Sequence, residues 1–301
     1  MRFNFKVDAA LAGMRLDHAI HKAATDAGHT LSKRAAKGLV DGGSVTLNGR
    51  VTKRASLELR HGVLVALELP AEAPTVDLVD LADRVVYRDA YILAINKPAW
   101  LATHATRDAA RDHALAGVER ILLAEGVKSP RVAVHHRLDV ETTGVLLFGI
   151  HPDANKGLTD AFRDRLAQKT YIALVANTEL PDAWTVENYL GKDTSQRRAK
   201  SIEVQSGGDH AVTDFVVLQR ADVIRIQAMP HTGRMHQIRA HLASSGAPIL
   251  GDVLYGGSKN LGTTRVPRVM LHAFRLELPH PVTGKPLTIE APLPDEFLAF
   301  G

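Results

Sequence analysis

HHRLDVETTGVLLFGI, residues 135–150, sets one aspartate, Asp139, between a turn carrying Arg137 and an apolar run, 144–150, that reads as a buried strand. A carboxylate at the edge of a core is costly to keep charged unless a cation or backbone donors stand beside it. Arg137 is two positions away, and Arg239 lies in a Gly-opened helical stretch, TGRMHQIRAHLASSG. The residues by themselves leave two readings open: a turn cap or fold-holding ion pair, or a functional carboxylate.

Around this stretch the chain alternates short β-patterned runs, among them RVVY, YILAIN, RVAVHH, KTYIALVAN, TDFVVLQRA and VIRIQAM. Helical stretches are expected near 111–125, 153–168 and 233–246. The order is neither regular βαβ nor pure β, so it predicts an α+β fold with a mixed, largely antiparallel sheet. Upstream, LDHAIHKAATDAG repeats apolar residues at helical steps from Leu16, and Ser32 is placed to cap a second helix, SKRAAKGLVDG. SVTL, an Asn48-Gly49 turn, RVTKR and VLVALEL then suggest a small β unit. Residues 71–83, AEAPTVDLVDLAD, carry four acidic side chains and no basic one. They divide a small α+β module, 1–70, from a larger domain, 84–301.

Charge follows the same division. Residues 1–70 hold eleven Lys and Arg against six Asp and Glu, although the whole chain is only +4. Lys33, Arg34 and Lys37 share the second helix, and Arg50, Lys53 and Arg54 follow the hairpin turn, a candidate phosphate-facing surface. The absence of cysteine excludes disulfides, thiolate metal sites and cysteine nucleophiles. No Walker loop, dinucleotide fingerprint, nucleophile elbow or HExxH is present. His231, His236 and His241 are five residues apart, about 140° around a helix, so they do not share a face as metal ligands, and hydrogen-bonding or surface roles are expected. No run approaches the ~18 apolar residues of a membrane span, and MRFNFKVD lacks a secretory apolar core, so a cytoplasmic protein is expected.

Several stretches in order resemble one family. HRLDVETTGVLLF resembles the motif that carries the catalytic aspartate in RluA-type pseudouridine synthases, which modify ribosomal or transfer RNA. KTYIALV is similar to their K-x-Y element, PHTGRMHQIRAHLASSGAPILGDVLYG to their TGRTHQIR segment, INKPAWLATH to an early one, and LHAFRLELPHPVTGKPL to the closing one. The likeness spans about 85–297. Residues 14–69 resemble, more weakly, the small S-four-like RNA-binding domain that often precedes this catalytic domain. Thr143 stands where the family usually has serine, Met235 where it has threonine, and Trp100 where it has glycine; His61-Gly62-Val63 replaces a Gly-Asp turn.

The resemblance implies isomerisation of uridine to pseudouridine in RNA, with no cofactor and no metal because no atoms are gained or lost. It makes Asp139 the essential carboxylate, as nucleophile or as base, paired with Arg239. Tyr171 packs on the uracil and assists proton removal. Arg137 fills the gap left by a flipped uridine or binds a flanking phosphate, with Leu138 and His136 lining the site. Arg15, Lys33, Arg34, Lys37 and Lys53 are the expected RNA contacts of the small module. Large-subunit ribosomal RNA is the first expected substrate and transfer RNA the second, with the protein a monomer and no membrane partner. A non-catalytic RNA-binding protein and a uracil-releasing hydrolase are the rival readings.

Overall fold

The computed structural model describes residues 2–29, 31, 33–68, 78–106, 111–195 and 199–300. The chain divides into two compact units, 1–76 and 77–301. In the first, β1 (Arg2–Lys6), α1 (Leu16–Asp26), α2 (Lys33–Asp41), β2 (Val45–Leu47), β3 (Arg50–Thr52) and β4 (Leu64–Glu68) form a four-stranded antiparallel sheet, order β1-β4-β2-β3, with two helices. Leu16, Ala19, Ile20 and Ala24, the apolar stripe of α1, pack with Ala36, Val40, Val45, Val65 and Leu67. β1 was not expected from sequence: its alternation of Phe3 and Phe5 is short, and its register against β4 is set by residues some sixty positions away. Asn48 and Gly49 both take the left-handed conformation that a tight hairpin requires. The Ser32 cap lies outside the described residues.

The second unit contains β5 (Val85–Arg88), β6 (Ile92–Lys97), α3 (Ala114–Ala124), β7 (Ala133–Val134), β8 (Thr143–Gly149), α4 (Ala154–Arg163), β9 (Gln168–Ala176), β10 (Ala183–Asp193), β11 (Lys200–Glu203), β12 (Asp209–Arg220), β13 (Val223–Pro230), α5 (Gln237–Ser244), β14 (Asn260–Leu261), β15 (Thr264–Arg265), β16 (Leu271–Pro279), β17 (Pro286–Glu290) and α6 (Asp295–Phe300). Eleven strands make one sheet, ordered β11-β10-β12-β13-β9-β16-β8-β6-β5, with β17 on β16 and β7 on β8. Every described pairing in it is antiparallel except β8 with β16, the α+β mixed sheet expected. Two strands that run parallel and meet over only two residue pairs, at its middle, bring the Asp139 loop next to β9 and β16. None of the described helices is long and apolar enough to cross a membrane.

The expected linker needs correction. Residues 71–77 lie outside the described residues, but 78–83 belong to the second unit. Leu81 is buried against Leu93, Ile95 and Val118, and Asp112 accepts the Val79 N–H at 2.9 Å. The acidic composition of this stretch reflects its exposed Asp80 and Asp83, and hid the apolar Val79 and Leu81 that anchor it.

β8 is buried along all seven residues, as a central strand covered on both faces must be. Gly144 at its start has φ = 111°, and a Cβ there would collide with the Ala273 carbonyl. Only glycine lets the backbone come this close to β16. Gly144→Ala is therefore expected to lower stability by about 2–3 kcal/mol in denaturant unfolding; a loss below about 0.5 kcal/mol would show that the close approach is not required.

Candidate active site

Asp139 sits in the turn between β7 and β8, its side chain 21% exposed at the mouth of a cavity of about 620 Å³. The loop that carries it is stapled from a neighbouring segment. Thr103 Oγ1 donates to the Leu138 carbonyl at 3.0 Å and accepts the Leu138 N–H at 3.2 Å. The Trp100 N–H donates to the Val140 carbonyl at 2.8 Å. Lys97 is fully buried, and its ammonium donates to the carbonyls of Pro98 at 2.9 Å, Leu101 at 2.8 Å and Val140 at 3.3 Å. Burial pushes Lys97 down to about 7, the nearby Arg268 acts the same way, and Asp139 opposes them.

Arg239 comes from the first turn of α5. Its Nη1 donates to Asp139 Oδ2 at 3.0 Å, so the expected ion pair is present. The stronger hold on the guanidinium is Asp252, which accepts from Nε at 2.7 Å and Nη2 at 2.8 Å and is fully buried. Burial acts against the Arg239 charge, but Asp252 first and Asp139 second raise its pKa above the ordinary value. The Tyr255 ring lies 5.1 Å from the guanidinium carbon, an added cation–π contact. Sequence reading missed Asp252, although a carboxylate straight after the apolar GAPILG stretch was a visible signal of a buried ion pair.

The TGRMH turn before α5 is set by Gln237. Its Oε1 accepts from Thr232 Oγ1 at 2.6 Å and from the Arg234 N–H at 3.0 Å, while its Nε2 donates to the Val212 carbonyl and Thr213 Oγ1, both at 2.9 Å. His236 then takes φ = 53°, which starts α5 at Gln237 rather than at the 233 expected, and brings its Nε2 to 3.7 Å from Asp139 Oδ2. Burial lowers the His236 pKa, and Asp139 opposes the shift. The other two histidines of this stretch hydrogen-bond as expected: His231 Nε2 to Asp214 at 2.6 Å, and His241 to Thr213 and Asn188 at 2.9 and 3.0 Å.

Tyr171 on β9 lines the same cavity. Burial first, and the charge of Asp139 second, raise its pKa, so it stands as a neutral phenol. Lys169, two residues earlier and on the same side of the strand, also faces the cavity. It makes no hydrogen bond or ion pair among the described residues, and burial alone lowers its pKa. Leu138 is buried and forms wall. Arg137 is exposed at the rim with no hydrogen bond or ion pair among the described residues. His136 is committed to the fold more than expected: its Nε2 accepts the Leu147 N–H at 2.9 Å, its ring stacks on Phe162 with centroids 4.9 Å apart, and burial pushes it down to about 3.

In the first unit Lys33, Lys37 and Lys53 are exposed, as are Arg50 and Arg54. Arg15 differs from a free phosphate ligand: Asp17 accepts from its Nε at 3.1 Å and its Nη2 at 2.8 Å. The side chain of Arg34 lies outside the described residues.

One carboxylate held by a buried guanidinium stands at the mouth of a cavity with a basic rim, an arrangement suited to an anionic substrate. The family model for RNA pseudouridylate synthase matches residues 91–244, a span that contains Asp139, Tyr171 and Arg239. The ribosomal large subunit pseudouridine synthase D of Pseudomonas aeruginosa is 32% identical over 305 residues, covering 97% of this chain and 92% of that protein. The protein of the same name from Vibrio cholerae is 30% identical over 298 residues, covering 95% and 90%. Among solved structures, human RNA pseudouridylate synthase domain containing 4 is 26% identical with a TM-score of 0.58, covering 72% of this chain and 91% of that one. The chain belongs to the RNA pseudouridylate synthase family, in its RluA type, and is an isomerase acting on RNA.

Thr143 keeps the hydroxyl that serine would supply, and a buried network uses it. His272 is fully buried and burial pushes it down to about 4, so the ring is neutral. Its Nε2 donates to the Ala291 carbonyl at 3.2 Å, which leaves Nδ1 to accept the Thr143 hydroxyl at 2.8 Å. Thr143 Oγ1 accepts in turn from Arg268 Nη2 at 3.1 Å. Thr143→Ser is expected to unfold within about 1 kcal/mol of wild type, while Thr143→Val, which strands the His272 acceptor, costs about 1–3 kcal/mol. Equal stabilities for the two variants would show that the network does not contribute to stability.

Proposed function

We propose that this isomerase converts specific uridines to pseudouridine in large-subunit ribosomal RNA, with transfer RNA as the alternative substrate, and that Asp139 is the essential carboxylate. The observation that carries the reading is Asp139 at the cavity mouth, bonded to an Arg239 that Asp252 fixes from the other side. The ribosomal assignment is supported by two relatives named for the large ribosomal subunit, each aligned over nine-tenths or more of both chains.

In the reaction the C1′–N1 bond breaks, the uracil turns, C5 joins C1′, the C5 proton leaves and N1 takes one up. Asp139 either attacks the sugar or the uracil or removes a sugar proton. In each case negative charge passes from the carboxylate to the uracil. Lys169 lines the cavity without a counter-ion among the described residues, and its ammonium form would stabilise that charge. Tyr171, a neutral phenol, packs on the uracil; as acceptor of the C5 proton it has to hand its own proton on, and Asp139 is the nearby carboxylate. Reaching Asp139 requires the uridine to leave its stack at a cost of a few kcal/mol. Arg137 at the rim takes the vacated place or the flanking phosphate, and Leu138 with the edge of His136 is wall. The first unit acts as an S-four-like RNA-binding module, with Lys33, Arg34, Lys37 and Lys53 on phosphates and Arg15 orienting through Asp17.

Tritium release from RNA labelled at C5 of uridine tests this, with wild type and Asp139→Asn assayed separately on ribosomal and transfer RNA. Release from large-subunit RNA by wild type, lowered roughly 10³-fold or more in the variant, is expected. Equal release by both proteins would overturn the role of Asp139, and free uracil in the product would mark a hydrolase.

A further inference from the structure

The chain has two tryptophans, and they are placed oppositely. Trp184 stacks on Phe215 with centroids 4.9 Å apart and donates to Ser245 Oγ at 3.2 Å. Trp100 is 61% exposed and has no ring partner among the described residues. Its backbone adopts φ = 67°, a region that glycine enters freely and a bulky side chain only under strain. Folding alone favours glycine at this position, and an exposed indole gains little from burial. Strain of this kind persists where the surrounding structure holds it for a purpose.

The surroundings are specific. The Trp100 N–H is bonded to the carbonyl of Val140, the residue after Asp139, and Lys97 Nζ reaches the same carbonyl at 3.3 Å. Thr103 clamps Leu138 on the other side of Asp139. These bonds set the 100–103 segment directly beside residues 138–140, next to Arg137. The indole is therefore an exposed aromatic face whose backbone is tied to the Asp139 loop.

Extruding a uridine from RNA leaves the base beside it with an uncovered π face. Aromatic side chains next to cations bind unpaired nucleic acid in this way, because every base can stack and the phosphates are held nearby. We propose that Trp100 is a stacking platform for the unpaired base adjoining the uridine that enters the cavity. This rests on uridine in structured RNA being the substrate.

The test uses the full chain and two RNAs, a hairpin with an unpaired uridine loop and a fully paired duplex. Binding of the hairpin should quench tryptophan fluorescence in wild type and in Trp184→Phe, with no quenching in Trp100→Gly. Trp100→Gly should bind the hairpin roughly tenfold more weakly, bind the duplex within about twofold of wild type, and unfold no earlier on heating. Trp100→Phe, which keeps an aromatic face, should recover part of the loss. Unquenched binding by wild type, or unchanged hairpin affinity in Trp100→Gly, would overturn the proposal. So would an earlier unfolding of Trp100→Gly with both RNAs weakened alike, which marks a structural role. Turnover of ribosomal RNA by wild type, measured in parallel, reports separately on the proposed substrate.

Discussion

A single guanidinium shared between two carboxylates organises the catalytic unit. Arg239 is buried, and a cation taken out of water is costly unless its charge and its N–H groups are both met. Asp252 meets it with two parallel bonds, which fixes the plane of the fork. Three N–H groups remain on the fixed fork, and one of them, on Nη1, donates to Asp139, 100 residues away in sequence. Asp252 is therefore the structural anion and Asp139 the presented one. The two differ in burial, complete for Asp252 and partial for Asp139, so only the second reaches the cavity.

The rest of the unit keeps those three side chains in register. Gln237 shapes the turn that sets the first residue of α5, and so the direction of Arg239. Thr103, Trp100 and Lys97 fasten the backbone on both sides of Asp139. Beneath it, Gly144 permits contact between β8 and β16, and the Arg268–Thr143–His272 network satisfies the polar groups buried there. Each bond uses a backbone carbonyl or a neutral acceptor that would otherwise be buried unpaired, so the loop gains rigidity from groups the fold must satisfy in any case.

Much of this was legible in the sequence, and the misses have a common physical cause. The buried run of β8, the hairpin at Asn48-Gly49, the apolar stripe of α1 and the mixed sheet all rest on local periodicity, which a sequence displays directly. Asp139, Tyr171 and Arg239 were reached through motifs, and the structure brings all three to one cavity. What escaped depends on partners far apart: β1 against β4, Asp252 with Arg239, Thr103 with Leu138. Leu81 was masked by acidic neighbours that stay in solvent while it turns inward. His136 sits within the motif, yet Leu147 N–H and Phe162 claim its ring, and only three-dimensional packing could reveal that.

A double-mutant cycle on the unfolding free energy, using Asp139→Asn, Asp252→Asn and the two combined, tests the shared guanidinium most directly. Either single change leaves Arg239 one carboxylate, whereas the double change leaves a buried cation with none. The double variant is expected to lose about 1 kcal/mol or more beyond the sum of the singles. Losses that add to within about 0.5 kcal/mol would mean that the two carboxylates do not act through one arginine, and would contradict a shared guanidinium.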